Sequence, residues 1–222
     1  MSLVDDLMAR GDEIRTQLRA SLNRHEYPGN IKNFELGAYV DIALEHHEAT
    51  WRLMNSKLNG SAFAVARSVW DAYYRALWVN KVATADQIEK VWRDELKLPT
   101  QRMLADIKNA YLGIFASNED AEVAERASRG FQFLGEMWTS LSSYTHAGGL
   151  QIRRRFTADK VKPNYSEREI GEVLYWATIV LMMLLRMFFV SMGHLQENEE
   201  IQTMMQQYSA AFRERVRPLD EK

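Results

Sequence analysis

Cysteine is absent from this chain, which removes disulfides, thiolate metal sites, iron–sulfur ligation and cysteine nucleophiles together. That absence fits a reducing compartment, and the expected location is cytoplasmic. Backbone breakers are scarce as well. With 4 Pro and 11 Gly in 222 residues, the chain is neither collagen-like nor an array of linkers. No sign of charge dominates either: 28 Lys+Arg against 30 Asp+Glu leave a formal charge of −2. The whole molecule therefore offers no basic field for nucleic acid and no acidic excess against it. An export signal is expected to be lacking, because Asp5 and Asp6 stand where a leader needs Lys or Arg ahead of an apolar run.

What is present is apolar surface. Hydrophobic residues make up 46% of the chain, enough for a sizeable core, and 26% are charged, so the chain reads as globular rather than disordered. Apolar residues recur at helical spacing almost throughout, and stretches of strict alternation are missing. The spacing predicts an all-α fold: one multi-helix bundle of about eight helices around a central apolar helix. Residues 1–29 form an N-terminal helix and turn, 30–195 the core bundle and 196–222 a polar C-terminal helix.

The expected helices can be placed by their caps and breakers. Ser2 caps the first, whose stripe is Leu3, Leu7, Ile14, Leu18 and Leu22, and the segment from His25 through Pro28 to Gly29 turns the chain. Asn30 caps the second, running through Phe34, Ala38, Ile42 and Leu53 to a C-cap at Gly60. The third spans Ala62 to Val82, with Phe63, Ala66, Trp70, Tyr73 and Leu77 inward. Thr84 with Gln87 makes a capping box for a short fourth helix that stops at Pro99. Thr100 caps the fifth, the Ser117–Asp120 cluster separates it from a sixth that reaches His146, and Gly148-Gly149 breaks that one by allowing positive φ. A connector follows, with Lys160 and Lys162. Ser166 with Glu169 boxes a seventh helix, and the eighth covers about Asn198 to Val216.

Residues 173–192 are apolar all round except Arg186 and Ser191, a length that also spans a bilayer. The other helices have apolar stripes that need a surface to pack on, so the reading adopted is a buried core helix, with membrane association through 173–192 as the alternative. In the buried case Arg186 needs a carboxylate or an edge position.

Three constellations carry candidate chemistry. Glu45-His46-His47-Glu48 with Asp41 invites a metal reading, but neither a Glu-x-x-His repeat nor a His-x-x-x-His pair is present. No metal and no cofactor is expected, and the segment reads as a solvated face with one half-buried His. The aromatic residues Trp70, Tyr73, Tyr74 and Trp78, with Trp51 and Trp92, read as core at helical spacing. Among them Arg67, Asp71 and Arg75 share one face, as a surface ion-pair ladder or as a phosphate or carboxylate clamp.

The most informative segment runs from Ser142 to Arg155. A helix end delivers Tyr144, Thr145 and His146 into Gly148-Gly149, followed by Arg153, Arg154 and Arg155. Histidine moves protons near neutral pH, glycine lets a ligand approach the backbone and arginine holds anions, so this order suits a phosphate-bearing ligand. It equally describes a capped helix end followed by a solvated connector.

The run Tyr144-Thr145-His146-Ala147-Gly148-Gly149 with Arg154-Arg155, preceded by Arg67-Ser68-Val69-Trp70-Asp71, resembles an uncharacterised family of bacterial all-helical proteins with a Tyr-Thr-His-Gly-Gly-like stretch. That family is similar, more distantly, to abortive-infection proteins of the AbiV kind and to HEPN-like helical domains. The resemblance covers about Phe34 to Leu195 and implies a cytoplasmic protein in a phage-defence or stress setting. HEPN ribonucleases carry an Arg, then four to six residues, then a His. Here Thr139, Ser140 and Leu141 occupy those places, so that motif is missing. The expected function is binding through a protein partner or a phosphate-bearing ligand, RNA or nucleotide, at Tyr144–Arg155, aided by Arg67 and Asp71. The alternative is a metal-independent ribonuclease using His146 and Tyr144. A homodimer is expected from the stripe Met204, Met205, Tyr208 and Phe212.

Overall fold

The computed structural model describes residues 2–27, 29–116, 121–157 and 160–220. Pro28 and Ser117–Asp120, expected as a helix stop and a helix boundary, lie outside them. Among the described residues the chain forms α1 (Leu3–Leu22), α2 (Ile31–Asn55), α3 (Asn59–Lys81), α4 (Ala85–Trp92), α5 (Thr100–Ala116), α6 (Ala121–Thr145), α7 (Gly149–Arg153), α8 (Glu167–Met192) and α9 (Leu195–Asp220). Between α7 and α8, β1 (Phe156–Thr157) pairs antiparallel with β2 (Lys160–Val161). The fold is an all-α bundle.

Four N-terminal signals work as written in the sequence. The Ser2, Thr84 and Ser166 hydroxyls accept from Asp5, Gln87 and Glu169 backbone N–H groups in reciprocal capping boxes, and the Asn30 side chain accepts from Asn33 N–H. Other boundaries move. The second helix stops at Asn55, because Lys57 takes a positive φ of 59° and turns the chain, so Gly60 lies inside α3 rather than capping α2. Asp94, at φ 55°, ends α4 well before Pro99, and Thr100 is the first residue of α5. The connector holds α7 and the β1–β2 hairpin, which makes nine helices instead of eight.

α8 is the central element, packing against α1, α2, α3 and α9. Its most apolar 18-residue window has a mean hydropathy of 2.1, long and apolar enough to cross a membrane, and 72% of that window is buried inside the bundle. Arg186 lies half-buried at the edge, where Nε donates to Asn198 Oδ1 at 2.9 Å, an amide rather than a carboxylate. The α9 stripe is used within the protomer: Tyr208 is buried, and Phe212 stacks on Tyr175 of α8 at 4.0 Å. Met204 and Met205 of the same stripe are half-buried.

On α2 the buried side differs from the expected row. Phe34 and Ile42 are exposed, while Leu36, Val40, Leu44, His47 and Trp51 face inward. Two polar residues on that inner side, Glu35 and His47, disguise it in the sequence. Trp51 lies across α1, donating from Nε1 to the Met8 carbonyl at 3.0 Å. A Cβ on Gly11 would come within 2.3 Å of its ring, so a glycine in mid-helix is what admits the indole.

His47 is fully buried, stacked on Trp51 at 4.1 Å. Because the Thr178 hydroxyl donates to the Leu174 carbonyl, Thr178 Oγ1 accepts from His47 Nε2–H at 3.0 Å, which leaves Nδ1 as acceptor toward Arg15. Burial, with Arg15 nearby, pushes the imidazole down to about 3. Glu35 is also buried, has no hydrogen-bond partner on either carboxyl oxygen, and is pushed up to about 7 by burial.

The two groups limit stability from opposite sides. The raised Glu35 carboxyl contributes fully below its ordinary value and loses that contribution as pH climbs through about 7. The depressed His47 contributes above the ordinary imidazole value and loses it as pH falls toward 3. In urea unfolding series, Glu35→Gln is expected to match the parent at pH 5 and exceed it by roughly 2–3 kcal/mol at pH 8. His47→Gln is expected to flatten the acid limb between pH 6 and 4. A Glu35→Gln difference that does not vary with pH would show that this carboxyl is not protonated when buried.

Candidate functional site

Arg67 and Asp71, one turn apart on α3, meet the end of α6. Asp71 Oδ1 accepts from Trp138 Nε1 at 2.7 Å, and Oδ2 lies 3.6 Å from Arg67 Nε. The Arg67 guanidinium sits 4.7 Å above the Trp138 ring, a cation–π contact that fixes its plane. Its Nη1 reaches 3.3 Å from Nε2 of His146. A guanidinium only donates, so Nε2 of His146 accepts and its proton resides on Nδ1. Arg67 Nε is buried without a hydrogen-bond partner. The sequence segment around His146 and the α3 ladder are thus one site, joined through Trp138, which composition and spacing did not single out.

The cluster lies between two open clefts. One, of about 510 Å³, is lined by Trp138, Thr139, Ser140 and Gln132 of α6 with Gln101 and Leu104 of α5. The other, of about 400 Å³, is lined by Asp71, Arg75, Ser68, Tyr39 and His46 among others. Arg75 therefore faces away from Arg67 and hydrogen-bonds Tyr39.

Tyr144 stands apart from His146. Two helical positions are about 200° apart, and Tyr144 is buried against Phe63 at 4.9 Å, with burial raising its phenol and an Arg154 hydrogen bond lowering it. Arg154 forms an ion pair with Glu169, whose other oxygen accepts from Ser166 at the start of α8. Arg155 is half-buried, and its guanidinium crowds the place that a Gly60 side chain would take. Only Arg153 of the three is exposed; its Nε donates to the Gly149 carbonyl at 3.2 Å. The arginines therefore diverge, two fastening the segment and one facing solvent. Thr145 and His146 are exposed.

A model of a family of unknown function (DUF6988) matches residues 40–214, which take in Arg67, Asp71, Trp138 and the whole Tyr144–Arg155 segment. The chain belongs to that family. No curated protein and no solved structure matches it. In this member of the family the glycine pair divides its work unexpectedly. The positive φ after α6 falls on Ala147, at 51°, whereas Gly148 is extended at φ −69°. Gly148 is needed for space: its N–H donates to the Ser143 carbonyl at 2.6 Å, and a Cβ would meet Ser143 Oγ at 2.4 Å. At Gly149 a Cβ would meet nothing closer than 3.8 Å.

Gly148→Ala is accordingly expected to destabilise the protein by about 1–3 kcal/mol in chemical denaturation. Gly149→Ala, in an ordinary helical position, is expected to be neutral or to gain up to about 1 kcal/mol. Equal losses at both positions would show that backbone freedom, not the Ser143 approach, selects glycine here.

Proposed function

We propose that this chain is a non-catalytic helical binding protein whose functional face is the Arg67–Asp71–Trp138–His146 cluster, and that it takes a phosphate-bearing ligand of the RNA or nucleotide class. The observation that carries the reading is the Arg67–His146 approach at 3.3 Å across two helices. A guanidinium held by Asp71 and Trp138, set beside an exposed imidazole, suits an anion that both groups touch. The cleft beside Trp138, with Gln101, Gln132 and Ser140 at its edges, suits a base that stacks and hydrogen-bonds. Arg153 adds an exposed charge close by in the chain. The setting in bacterial phage defence or stress belongs to this proposal, on the strength of the resemblance to AbiV-type and HEPN-like proteins.

One observation favours the ribonuclease reading. The Arg missing from the run before His146 has a spatial substitute in Arg67, which reaches the same imidazole. Tyr144 has no part in that version, since it faces the Phe63 side.

Fluorescence anisotropy with labelled single-stranded RNA, and with unlabelled nucleotide as competitor, tests both. Arg67→Ala is expected to abolish binding, and the parent's affinity to fall as salt rises. His146→Ala is expected to weaken binding modestly with intact RNA in every lane. Cleavage by the parent that drops about 10²–10⁴-fold in His146→Ala would instead establish the ribonuclease. Absence of any binding by the parent would end both readings.

A further inference from the structure

A second constellation, sharing no residue with the His146 cluster, is built from three separate stretches of chain. His25 follows the end of α1, His194 follows α8 and Glu197 sits in the first turn of α9. Gly193 explains the placement of His194. At φ 81° it closes α8 with its own N–H on the Val190 carbonyl at 3.2 Å and the His194 N–H on the Phe189 carbonyl at 2.9 Å, a Schellman ending that turns the next side chain back over the helix end. The His25 and His194 rings stack at 3.9 Å, and His25 Nε2 lies 2.5 Å from Glu197 Oε1. One ligand atom from each of the three residues falls within 4.8 Å of the others.

The surroundings suit a charged guest. Tyr27 lies 6.4 Å from the His25 ring and 5.7 Å from that of His194, and Phe189 closes the other side at 6.4 and 6.2 Å. An aromatic wall of this kind excludes water and strengthens electrostatic contacts inside it. Glu197 is 6% exposed, and a carboxylate so buried needs a cation or a strong donor. His25 and His194 are each only half-buried, which leaves a way in from solvent.

We propose that His25, His194 and Glu197 bind a divalent transition-metal ion of the zinc class. Two imidazole nitrogens and one carboxylate oxygen are borderline donors that favour zinc and its first-row neighbours over magnesium or calcium, whose sites are built from oxygen. On binding, the metal takes the place of the contact between His25 Nε2 and Glu197 Oε1, with the ligating imidazole nitrogen carrying no proton. Three protein ligands leave a coordination position for water or another donor. Because the ligands come from the end of α1, the α8–α9 turn and α9, the ion fastens the first helix to the last two. The proposal is independent of the Arg67–His146 face.

The test uses the full chain, stripped with chelator, and zinc ion alone. Titration calorimetry is expected to show one saturable site per chain, and thermal unfolding to shift upward with zinc. His194→Ala and Glu197→Gln are each expected to weaken zinc by more than the roughly 10–100-fold that even outer-sphere partners are worth, while still folding. His46→Ala, outside the cluster, is expected to bind as the parent does. Absence of saturable uptake would overturn the proposal. So would uptake that survives both His194→Ala and Glu197→Gln.

Discussion

Enclosure of α8 is the constraint on which the other helices depend. A helix apolar on nearly all sides has to be covered on nearly all sides, and α1, α2, α3 and α9 each bury their own stripe by covering it. The close approaches follow from that demand. A Cβ on Gly171 of α8 would meet Leu3 at 2.6 Å, and the first turn of α8 supplies Glu167 to the Leu3 N–H of α1. The few polar groups drawn into this interior are answered within it: Thr178 of α8 takes the His47 proton and lies 3.4 Å from the Tyr208 hydroxyl of α9. Among the described residues Glu35 is not answered in this way, nor are Trp70 Nε1, Tyr74 Oη and Trp78 Nε1 of α3, and of these Glu35 makes the interior sensitive to alkaline pH.

Helices α4, α5 and α6 form a second arc, laid mainly over α2 and α3, with Phe133 of α6 also reaching Trp176 of α8 at 4.6 Å. The Arg67–Asp71–Trp138–His146 cluster sits where α3 meets α6. Asp71 orders it, since one carboxylate fixes the Trp138 indole and draws in Arg67, and Trp138 in turn supports the guanidinium that reaches His146. A ligand placed there touches groups whose orientations are already set, so little ordering is left to pay for at the moment of binding.

The fold class, the bundle around one apolar helix and four of the caps were legible, because a 3.6-residue period and Ser-x-x-Glu-type spacings are local statements. The inner side of α2 was not, since Glu35 and His47 read as surface residues until their surroundings are known. Arg67, Asp71 and His146 were each legible as candidates, but not their union: Arg67 and His146 are 79 positions apart, and Trp138 looks like any core aromatic. The arginine run misled by its unity. Three adjacent cations suggest one patch, yet Arg154 finds Glu169 and Arg155 the Gly60 gap, because a short helix and a hairpin turn successive side chains apart. The glycine pair misled similarly, since sequence shows that glycine is present but not whether conformation or space requires it. His25 stands 172 positions from Glu197, and the three-residue spacing of His194 and Glu197 gives by itself no sign of the third residue.

The order of synthesis gives α1 a particular history. Besides Trp51 of α2, its partners are Glu167 and Gly171 of α8 and Arg215 of α9, which stands 3.9 Å from Asp6, so α1 is completed by helices made long after it. The α2–α3 hairpin, by contrast, joins neighbours across a short turn and can collapse as soon as it emerges. Closing a loop of more than 160 residues comes late, after local pairs have formed. Until α8 leaves the ribosome, Leu3 and Leu7 of α1 lack the cover that the Gly171 side of α8 gives them, and the nascent chain at that stage is the one that chaperones would meet.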